Sequence, residues 1–441
     1  MKQVAQRIFR ETLAALDIAA ALERKLARNG SRICAGELTV DLRNFEKVVA
    51  IAFGKASFSM AGALTRILAP DFAVEGILIT PANPPCPLSG WHLFVGGHPV
   101  PNAGSFAAGR AILDRLGRCD QSTLIFFLIS GGGSSLVDLP LDPNVTLEDF
   151  IQLHKALVTC GASIDEVNTI RKHVSATKGG RLATAASDSL KLTFAVSDVP
   201  PGQESALASG PTLPDPTTVQ DAEAIAAQYD LSGKLPASLR VLFENHALRE
   251  TPKQHDPAFA SSRFELLLGL HELMHAAHRA CEAEGYVCLC DNSMDNWPIE
   301  KATEYLLALL QKHAETEQKT GHGRPVAILA DGELSSPVTG DGIGGRNSAF
   351  VLACVPKISG GNITVFSAGT DGMDGNSPAA GAVADGDTFK RARAAGLEPA
   401  DFYRSSDAYT FFSRLDDAIV VGLTGNNLRD LRILLSRSKA R

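Results

Sequence analysis

The sequence predicts an α/β protein of two domains, the larger of which is built on a mostly parallel sheet. Three observations predict this fold. Short apolar runs recur along the 441 residues and end in loops of Gly, Ser, Asp and Pro. Amphipathic segments separate these runs, as in β-α-β units. The composition, 45% hydrophobic and 21% charged, is that of a globular chain long enough for two domains.

The first half of the chain contains four predicted strands, each followed by a polar or glycine-rich turn. They lie in "VVAIAFGKAS", "HLFVGGHPVPNAGS", "TLIFFLISGGGSSLVDLP" and "LKLTFAVSDVP". The third begins with a near-continuous apolar run, which is typical of a strand buried on both faces. The opening segment, Met1–Leu26, has helical spacing with acidic residues in its apolar region, unlike a signal peptide. We therefore expect a cytoplasmic protein.

A break in this alternation divides the chain. The segment His246–Arg263 lacks periodicity and contains two prolines, which predicts a linker between domains at 1–245 and 264–441. After it, strands are predicted in "FELLLGL", "YVCLC", "PVAILADGE" and "NITVFSAGTDGMDG", with helices from about His271 and Pro298. Loops gathered at the strand ends of two such domains predict a cleft.

Charge and hydropathy exclude some functions. The formal net charge is -7, which argues against a general nucleic-acid-binding protein, because such proteins need a cationic surface. No apolar run approaches the roughly 20 residues that span a bilayer, so no membrane association is expected. The eight cysteines show no paired zinc-ligand spacing.

Three short segments resemble familiar motifs, but none of them is convincing in its context. "GDGIGG", Gly340–Gly345, has the glycine spacing of a dinucleotide-binding loop, but no acidic residue follows about 20 positions later. "AFGKAS" lacks the first glycine and the hydroxyl residue of a Walker A loop. His271, Glu272 and His275 spell H-E-x-x-H, a zinc motif, yet the same segment fits the helix of an ordinary β-α-β unit.

The segment "ISGGGSS" is better suited to binding phosphate. Consecutive glycines let successive backbone N–H groups turn toward one point, and the serines add hydroxyl donors. Alternatively, the glycines serve only tight packing. We call this segment the glycine loop; its residues are Ser130, Gly131, Gly132, Gly133, Ser134 and Ser135.

A predicted helix follows the glycine loop. "SIDEVNTIRKHVSATKGGRLA" opens with a capping box from Ser163 to Glu166. Helical spacing places Asn168, Arg171 and Lys172 on one polar face. Such a face is either solvated or in contact with a ligand, and its position after the glycine loop favours the ligand.

Further polar residues follow predicted strands in the second half. Arg346 and Asn347 come directly after glycines at a predicted helix start. An anion bound there would contact the guanidinium of Arg346 and the backbone N–H groups of the first helical turn. Asp371 and Asp374 are flanked by glycine and suit Mg²⁺, the orientation of a hydroxyl, or simple turns. Basic residues, a glycine loop and separated aspartates at strand ends favour phosphoryl transfer over hydrolysis or redox chemistry.

Six motifs in order then show a family resemblance. They are "SGGGSSL", "CGASIDEVNTIRKHVSATKGGRLA", "SDVPPGQESALASGPTLPDPTT", "GGRNSAF", "SAGTDGMDGNSPAAGAVADG" and "SSDAYTFF". From about Phe45 to its end, the chain resembles the class II glycerate kinase family. The resemblance implies phosphorylation of D-glycerate to 2-phosphoglycerate with ATP and Mg²⁺. It also implies a cleft between a Rossmann-like amino-terminal domain and a smaller domain, called MOFRL.

The resemblance also assigns roles to residues. Lys55 in "FGKAS" and Arg346 in "GGRN" match basic residues of the family, which would neutralise phosphate charge. Asp198 in "SDVP" and Asp371 in "GTDG" match its acidic residues, expected in catalysis and metal binding. The glycine loop, the polar helix face and Asn347 would bind substrate and nucleotide.

The chain departs from the family pattern at two places. It has "GLTGNN", Gly422–Asn427, where the family commonly reads T-G-P-T-G-T-N, and "DGE", Asp331–Glu333, where G-G-E is usual. The first departure is expected to change how the terminal loop contacts its ligand. The second is expected to change which nucleotide or metal the protein prefers. The alternative functions are a nicotinamide-dependent hydroxypyruvate reductase and a non-catalytic nucleotide-binding regulator.

We expect no stoichiometric zinc at the H-E-x-x-H segment. Leu273, Met274 and Ala277 form an apolar side, which is what a helix packed on a sheet requires. Metal analysis of the purified protein after dialysis should therefore find no bound zinc. One zinc per chain that is lost in His275→Ala would contradict this expectation.

Overall fold

A computed structural model describes residues 1–320 and 323–437 of the chain. These residues form two compact units. The larger unit is Ile18–Leu267, and the smaller unit combines Met1–Asp17 with the chain from Leu268 onward. This division differs from the expected one, because the first helix groups with the carboxyl-terminal half of the chain.

Sixteen α-helices and three short 3-10 helices are formed within the described residues. None of these helices is both long enough and apolar enough to cross a membrane. The 3-10 helices are Leu42–Asn44, Glu204–Ser209 and Pro257–Phe259. The α-helices are α1 Lys2–Ala15, α2 Ile18–Lys25, α3 Ser57–Leu68, α4 Ala103–Leu116, α5 Gly133–Leu136, α6 Leu147–Thr159, α7 Ile164–Val174, α8 Arg181–Thr184, α9 Val219–Gln228, α10 Ala237–Glu244, α11 Leu270–Ala283, α12 Ile299–Lys319, α13 Arg346–Cys354, α14 Thr388–Ala394, α15 Pro399–Arg404 and α16 Ala408–Ser413.

Fifteen strands in the described residues form three sheets, of which the smallest is an antiparallel β1-β2-β3 sheet that the sequence analysis did not predict. The strands are β1 Leu26–Asn29, β2 Arg32–Ala35, β3 Leu38–Asp41, β4 Lys47–Phe53, β5 Glu75–Thr80, β6 Trp91–Val95, β7 Thr123–Ser130, β8 Leu190–Val196, β9 Ser262–Leu268, β10 Val287–Asp291, β11 Val326–Ala330, β12 Ile363–Gly369, β13 Gly381–Asp385, β14 Ala418–Ile419 and β15 Asp430–Ser436.

The larger unit is built on a six-stranded sheet. Its strand order is β6-β5-β4-β7-β8-β9, and the pairs from β6 to β8 are all parallel. All eight residues of β7 are buried, as its continuous apolar run predicted. Phe53 pairs with Ile129, and Ser130 pairs with Val196, so β4, β7 and β8 end at the same edge of the sheet. The predicted parallel α/β fold is confirmed.

The segment His246–Arg263 lies inside the larger unit instead of linking two domains. Thr251 is buried, the Asp215 N–H donates to the Pro252 carbonyl at 3.0 Å, and Glu250 lies 3.2 Å from His173 Nε2. The segment lacks periodicity because hydrogen bonds from a mostly irregular backbone hold it, and its only regular structure is the short 3-10 helix Pro257–Phe259 and the first two residues of β9.

The smaller unit has a mixed sheet of order β10-β11-β15-β12-β13-β14. β10 and β11 are parallel, whereas β15 is antiparallel to both of its neighbours, β11 and β12. The end of the chain thus supplies a strand near the middle of this sheet. As a result, the first residues of β15 lie among loops that come from much earlier in the sequence.

The helix α1 packs into the smaller unit through its apolar face. Phe9 is fully buried, and its ring lies 5.1 Å from that of Phe366 in β12. At its first turn, Lys2 Nζ lies 2.8 Å from the carboxylate of Asp417. Apolar burial and an ion pair therefore both fix this helix to the carboxyl-terminal half.

We expect Phe9→Ala to lower the free energy of unfolding by about 3–5 kcal/mol, because it leaves a cavity against Phe366. The exposed Gln3 lies on the same helix, and Gln3→Ala serves as the control, with an expected change within about 0.5 kcal/mol. Urea unfolding followed by circular dichroism measures both. Equal stabilities of the two variants would show that α1 does not support the core of this unit.

Candidate functional site

The strand order of the larger unit reverses between β4 and β7. From β4 the chain builds β5 and β6 on one side, then returns to build β7 and β8 on the other. In open α/β sheets, ligands bind outside the carboxyl ends of the strands at such a reversal. Lys55 follows β4 and the glycine loop follows β7, so both predicted elements lie at this point.

Backbone contacts join these two strand ends. The Lys55 N–H donates to the Gly131 carbonyl at 3.0 Å, and the Ala56 N–H donates to Ser130 Oγ at 2.9 Å. Gly54 has a φ of +117°, and a Cβ there would lie 2.2 Å from Ser130 Oγ. Only glycine permits this approach. Lys55 Cγ and the His98 ring flank Gly132, so the Lys55 side chain lies beside the glycine loop.

The polar helix face reaches the glycine loop through one serine. Ser134 Oγ and Ser209 Oγ are 2.8 Å apart, and Ser209 Oγ donates to Asn168 Oδ1 at 2.9 Å. The predicted capping box at Ser163 is present and fixes the start of α7. Ser209 was missed by the sequence analysis. Its positive φ of +61°, uncommon outside glycine, marks it only in the structure.

The two basic residues of α7 have different surroundings. Lys172 is buried, and its Nζ lies 3.0 Å from Asp215 Oδ1, so this internal ion pair occupies its charge. Arg171 is half-buried, and its Nε has no hydrogen-bond partner among the described residues. Burial lowers the pKa of Arg171, and nearby Asp138 opposes this effect. Of the two, Arg171 is the residue suited to meet a ligand.

A buried ion pair supports the glycine loop from beneath and was not predicted. Lys178 Nζ donates to the carbonyls of Ser134 at 2.6 Å and Val137 at 3.1 Å, and it lies 3.0 Å from Asp138 Oδ2. Ser175 Oγ donates to Asp138 Oδ1 at 2.6 Å. The Ser134 carbonyl of the loop and the Val137 carbonyl just beyond it therefore have a partner inside the protein. The available signal was a single charged residue within each of two otherwise uncharged segments, "LVDLP" and "SATKGG".

Asp198 follows β8 at the same edge of the sheet. It is half-buried, and the neighbouring Ser197 Oγ accepts a hydrogen bond from the Val199 N–H at 3.2 Å, which fixes the turn around it. Because β8 is adjacent to β7, Asp198 lies one strand beyond the glycine loop, as its place after a predicted strand suggested.

In the smaller unit, Arg346 is the first residue of α13 and lies between two carboxylates. Its Nε donates to Asp430 Oδ2 at 2.6 Å, and its Nη2 lies 2.9 Å from Glu333 Oε1. Burial works against the charged form, but Asp430 and Glu333 outweigh it and raise the pKa of Arg346. The guanidinium is therefore charged at neutral pH.

Asn347 and Asp374 have internal partners. Asp374 accepts hydrogen bonds from the backbone N–H groups of Asn347 at 2.9 Å and Ser348 at 2.8 Å, and so caps α13. Burial raises the pKa of Asp374, and these hydrogen bonds oppose the rise. Asn347 is buried, and its Oδ1 accepts from Ser367 Oγ at 2.5 Å. Both side chains fix the helix start that carries Arg346.

Asp371 lies in the turn after β12 and remains half-exposed. Its Oδ1 accepts a hydrogen bond from the Met373 N–H at 3.0 Å, and its carbonyl accepts from the Thr424 N–H at 3.2 Å. A Cβ on Gly372 would lie 1.9 Å from the Gly422 carbonyl oxygen. The turn that carries Asp371 thus rests directly on Gly422–Asn427, the first segment that departs from the family pattern.

The second departure lies within a charged network that the sequence analysis did not predict. Asp331 is buried, and its Oδ2 lies 2.8 Å from Arg429 Nη1; Arg429 also pairs with Asp295. Arg432 is fully buried, and its Nη2 lies 3.6 Å from Asp430 Oδ2. The available signal was "RDLRILL", in which three charged residues stand at the start of an apolar run that, as a strand, places Asp430 and Arg432 on one face.

The H-E-x-x-H segment forms the start of α11, as predicted. Glu272 accepts a hydrogen bond from the Gly269 N–H at 2.9 Å and so caps this helix, while His271 and His275 are exposed. Within residues 1–320 and 323–437, no three His, Cys, Asp or Glu side chains are grouped so as to hold a metal ion.

Comparisons with known proteins agree with this architecture. Residues 4–244 match the family model described as "Domain of unknown function (DUF4147)", and residues 326–430 match the MOFRL family. D-glycerate 2-kinase of Thermotoga maritima is 30% identical over 90% of this chain and 92% of its own length. A protein of Agrobacterium vitis, provisionally named hydroxypyruvate reductase, is 34% identical over 98% of this chain and 94% of its own.

The crystal structure of glycerate kinase from Thermotoga maritima is also similar. It superposes with a TM-score of 0.82 and 28% sequence identity, covering 99% of each chain. Full-length relatedness, the two matching domains and the shared fold lead to one conclusion. The chain belongs to the class II glycerate kinase family, with its MOFRL domain at residues 326–430.

Proposed function

We propose that this protein transfers the γ-phosphoryl group of ATP to D-glycerate and forms 2-phosphoglycerate. The observation that carries the proposal is the position of Lys55 beside the glycine loop, where the strand order reverses. A lysine and a glycine-rich turn at that point provide a positive charge and backbone donors for phosphate oxygens. The relationship to enzymes named glycerate kinase supplies the acceptor.

Catalysis in this proposal consists of positioning and charge neutralisation. Lys55 and Arg346 neutralise phosphate oxygens as charge redistributes during in-line attack by a glycerate hydroxyl. The glycine loop, which includes Ser134, binds the substrates together with Asn168 at the edge of the sheet. Arg171 holds the carboxylate of glycerate, because Lys172 is already paired with Asp215. The C2 hydroxyl next to that carboxylate is then held more rigidly than the C3 arm and attacks more readily.

Asp198 and Asp371 are the proposed acidic residues, one as base and one as metal ligand. Each is half-buried in a turn after a strand, with oxygen chemistry that suits Mg²⁺. Magnesium needs only one or two protein carboxylates, because substrate phosphates and water complete its shell. Bound there, it would neutralise charge on the phosphate oxygens of ATP.

The reductase alternative is less well supported by the geometry around "GDGIGG". A dinucleotide-binding loop joins a strand to a helix in a tight turn. Here β11 ends at Ala330 and α13 begins only at Arg346, so a long loop separates them. This loop does not have the compact form that a nicotinamide dinucleotide requires.

Lys55→Ala and Arg346→Ala should each lower kcat about a hundredfold or more, because each removes a charge that stabilises the transition state. The matched controls are Lys155→Ala and Lys390→Ala, which remove exposed charges from the same two units and should retain wild-type turnover. Initial rates are measured at saturating ATP and glycerate. Wild-type turnover in either site variant would remove that residue from the proposed site.

The site of phosphorylation is tested by incubating the protein with ATP, Mg²⁺ and D-glycerate and coupling the product to enolase. We expect enolase alone to consume the product, which identifies 2-phosphoglycerate. Consumption only after phosphoglycerate mutase is added would identify the 3-phosphate. A parallel reaction with NADH and hydroxypyruvate tests the reductase alternative, and no turnover in either reaction would favour a non-catalytic regulator.

A further inference from the structure

We propose that Asp430 is a positioning residue that holds Arg346 in the orientation required for phosphate, and that Glu333 is the exchangeable partner that phosphate displaces. The inference rests on the proposed function, since it concerns how Arg346 meets its ligand. It assigns different roles to two carboxylates that contact the same guanidinium.

The geometry distinguishes the two carboxylates. Asp430 binds one edge of the guanidinium with both oxygens, at 2.6 Å from Nε and 3.4 Å from Nη2, whereas Glu333 forms an ion pair with its Oε1 at 2.9 Å from Nη2. The Asp430 side chain is 3% exposed, and that of Glu333 is 45% exposed. A buried two-point contact fixes the plane of a guanidinium more firmly than an ion pair from an exposed side chain does.

Asp430 is itself held rigidly. It is the first residue of β15, a strand paired on both sides, and Arg432 on the same face of that strand lies 3.6 Å from it. Burial alone would favour the neutral acid, but Arg346 and Arg432 outweigh burial and hold the pKa of Asp430 below its ordinary value. The carboxylate therefore stays ionised and cannot turn toward solvent.

Glu333 lies in the loop after β11 and has access to solvent. A phosphate group carries more negative charge than one carboxylate and competes for the same Nη2 donor. Arg346 is 34% exposed, and its Nη1 donates to no acceptor within residues 1–320 and 323–437. Phosphate can thus bind the outer edge of the guanidinium while Asp430 keeps the inner edge fixed.

The test compares Asp430→Asn and Glu333→Gln, which remove the same charge from the two partners of Arg346. Asp430→Asn should lower kcat about 10–100-fold, the usual effect of losing an orienting partner. Glu333→Gln should instead lower the KM for ATP severalfold, because phosphate no longer competes with a carboxylate. In an Arg346→Ala background, Asp430→Asn should change kcat less than about threefold, because its effect passes through Arg346.

An equal loss of kcat from Asp430→Asn in both backgrounds would show a merely structural role and overturn the proposal. An unchanged or raised KM for ATP in Glu333→Gln would overturn the exchange. Circular dichroism melting checks folding, and if Asp430→Asn does not fold, Asp430→Glu replaces it with the same expected non-additivity.

If the wild-type protein does not phosphorylate glycerate, the proposed function fails on its own. In that case, ATP binding to the two variants, measured by calorimetry, tests the proposed roles of the two carboxylates. We expect Asp430→Asn to bind ATP more weakly than the wild type and Glu333→Gln to bind it more tightly.

Discussion

The contact between the ends of β4 and β7 is the constraint on which the larger unit's candidate site depends. Two parallel strands in register bring Gly54 against Ser130 so closely that no side chain fits between them. This approach places the Lys55 backbone on the glycine loop, and the loop on the buried Asp138–Lys178 pair. A sheet that is apolar on both faces thus ends in a polar edge, where the Ser134 carbonyl has its partner within the protein.

The sheet of the smaller unit also has a polar edge. Charged side chains, not a glycine turn, organise its edge: Asp430 orients Arg346, Arg432 neutralises Asp430, and Arg429 pairs with Asp331. Such buried pairs contribute little net stability, because each charge loses its hydration on burial. Breaking one pair is nevertheless costly, since it leaves an uncompensated charge. The network therefore serves mainly to orient Arg346, and it adds little to the stability of the fold.

Local patterns in the sequence were sufficient to predict many elements. The continuous apolar run of β7, the capping box of α7 and the glycines before Arg346 each determine their own structure within a few residues. Features that depend on distant partners could not be predicted. Lys172 was placed on a polar ligand face, yet Asp215 binds it internally, and nothing near Lys172 in the sequence indicates this partner. Asp430 was missed because β15 meets β11 and β12 only in the folded sheet.

The grouping of α1 with the carboxyl-terminal half has a consequence for how the protein is made. During synthesis on the ribosome the helix α1 emerges more than 300 residues before Phe366, which its Phe9 contacts. The residues of the larger unit lie entirely between these two points, so that unit can fold while the helix still has no partner. Nascent chains would thus expose an amphipathic helix until the strand that carries Phe366 is made, and such a helix is suited to transient binding by a chaperone.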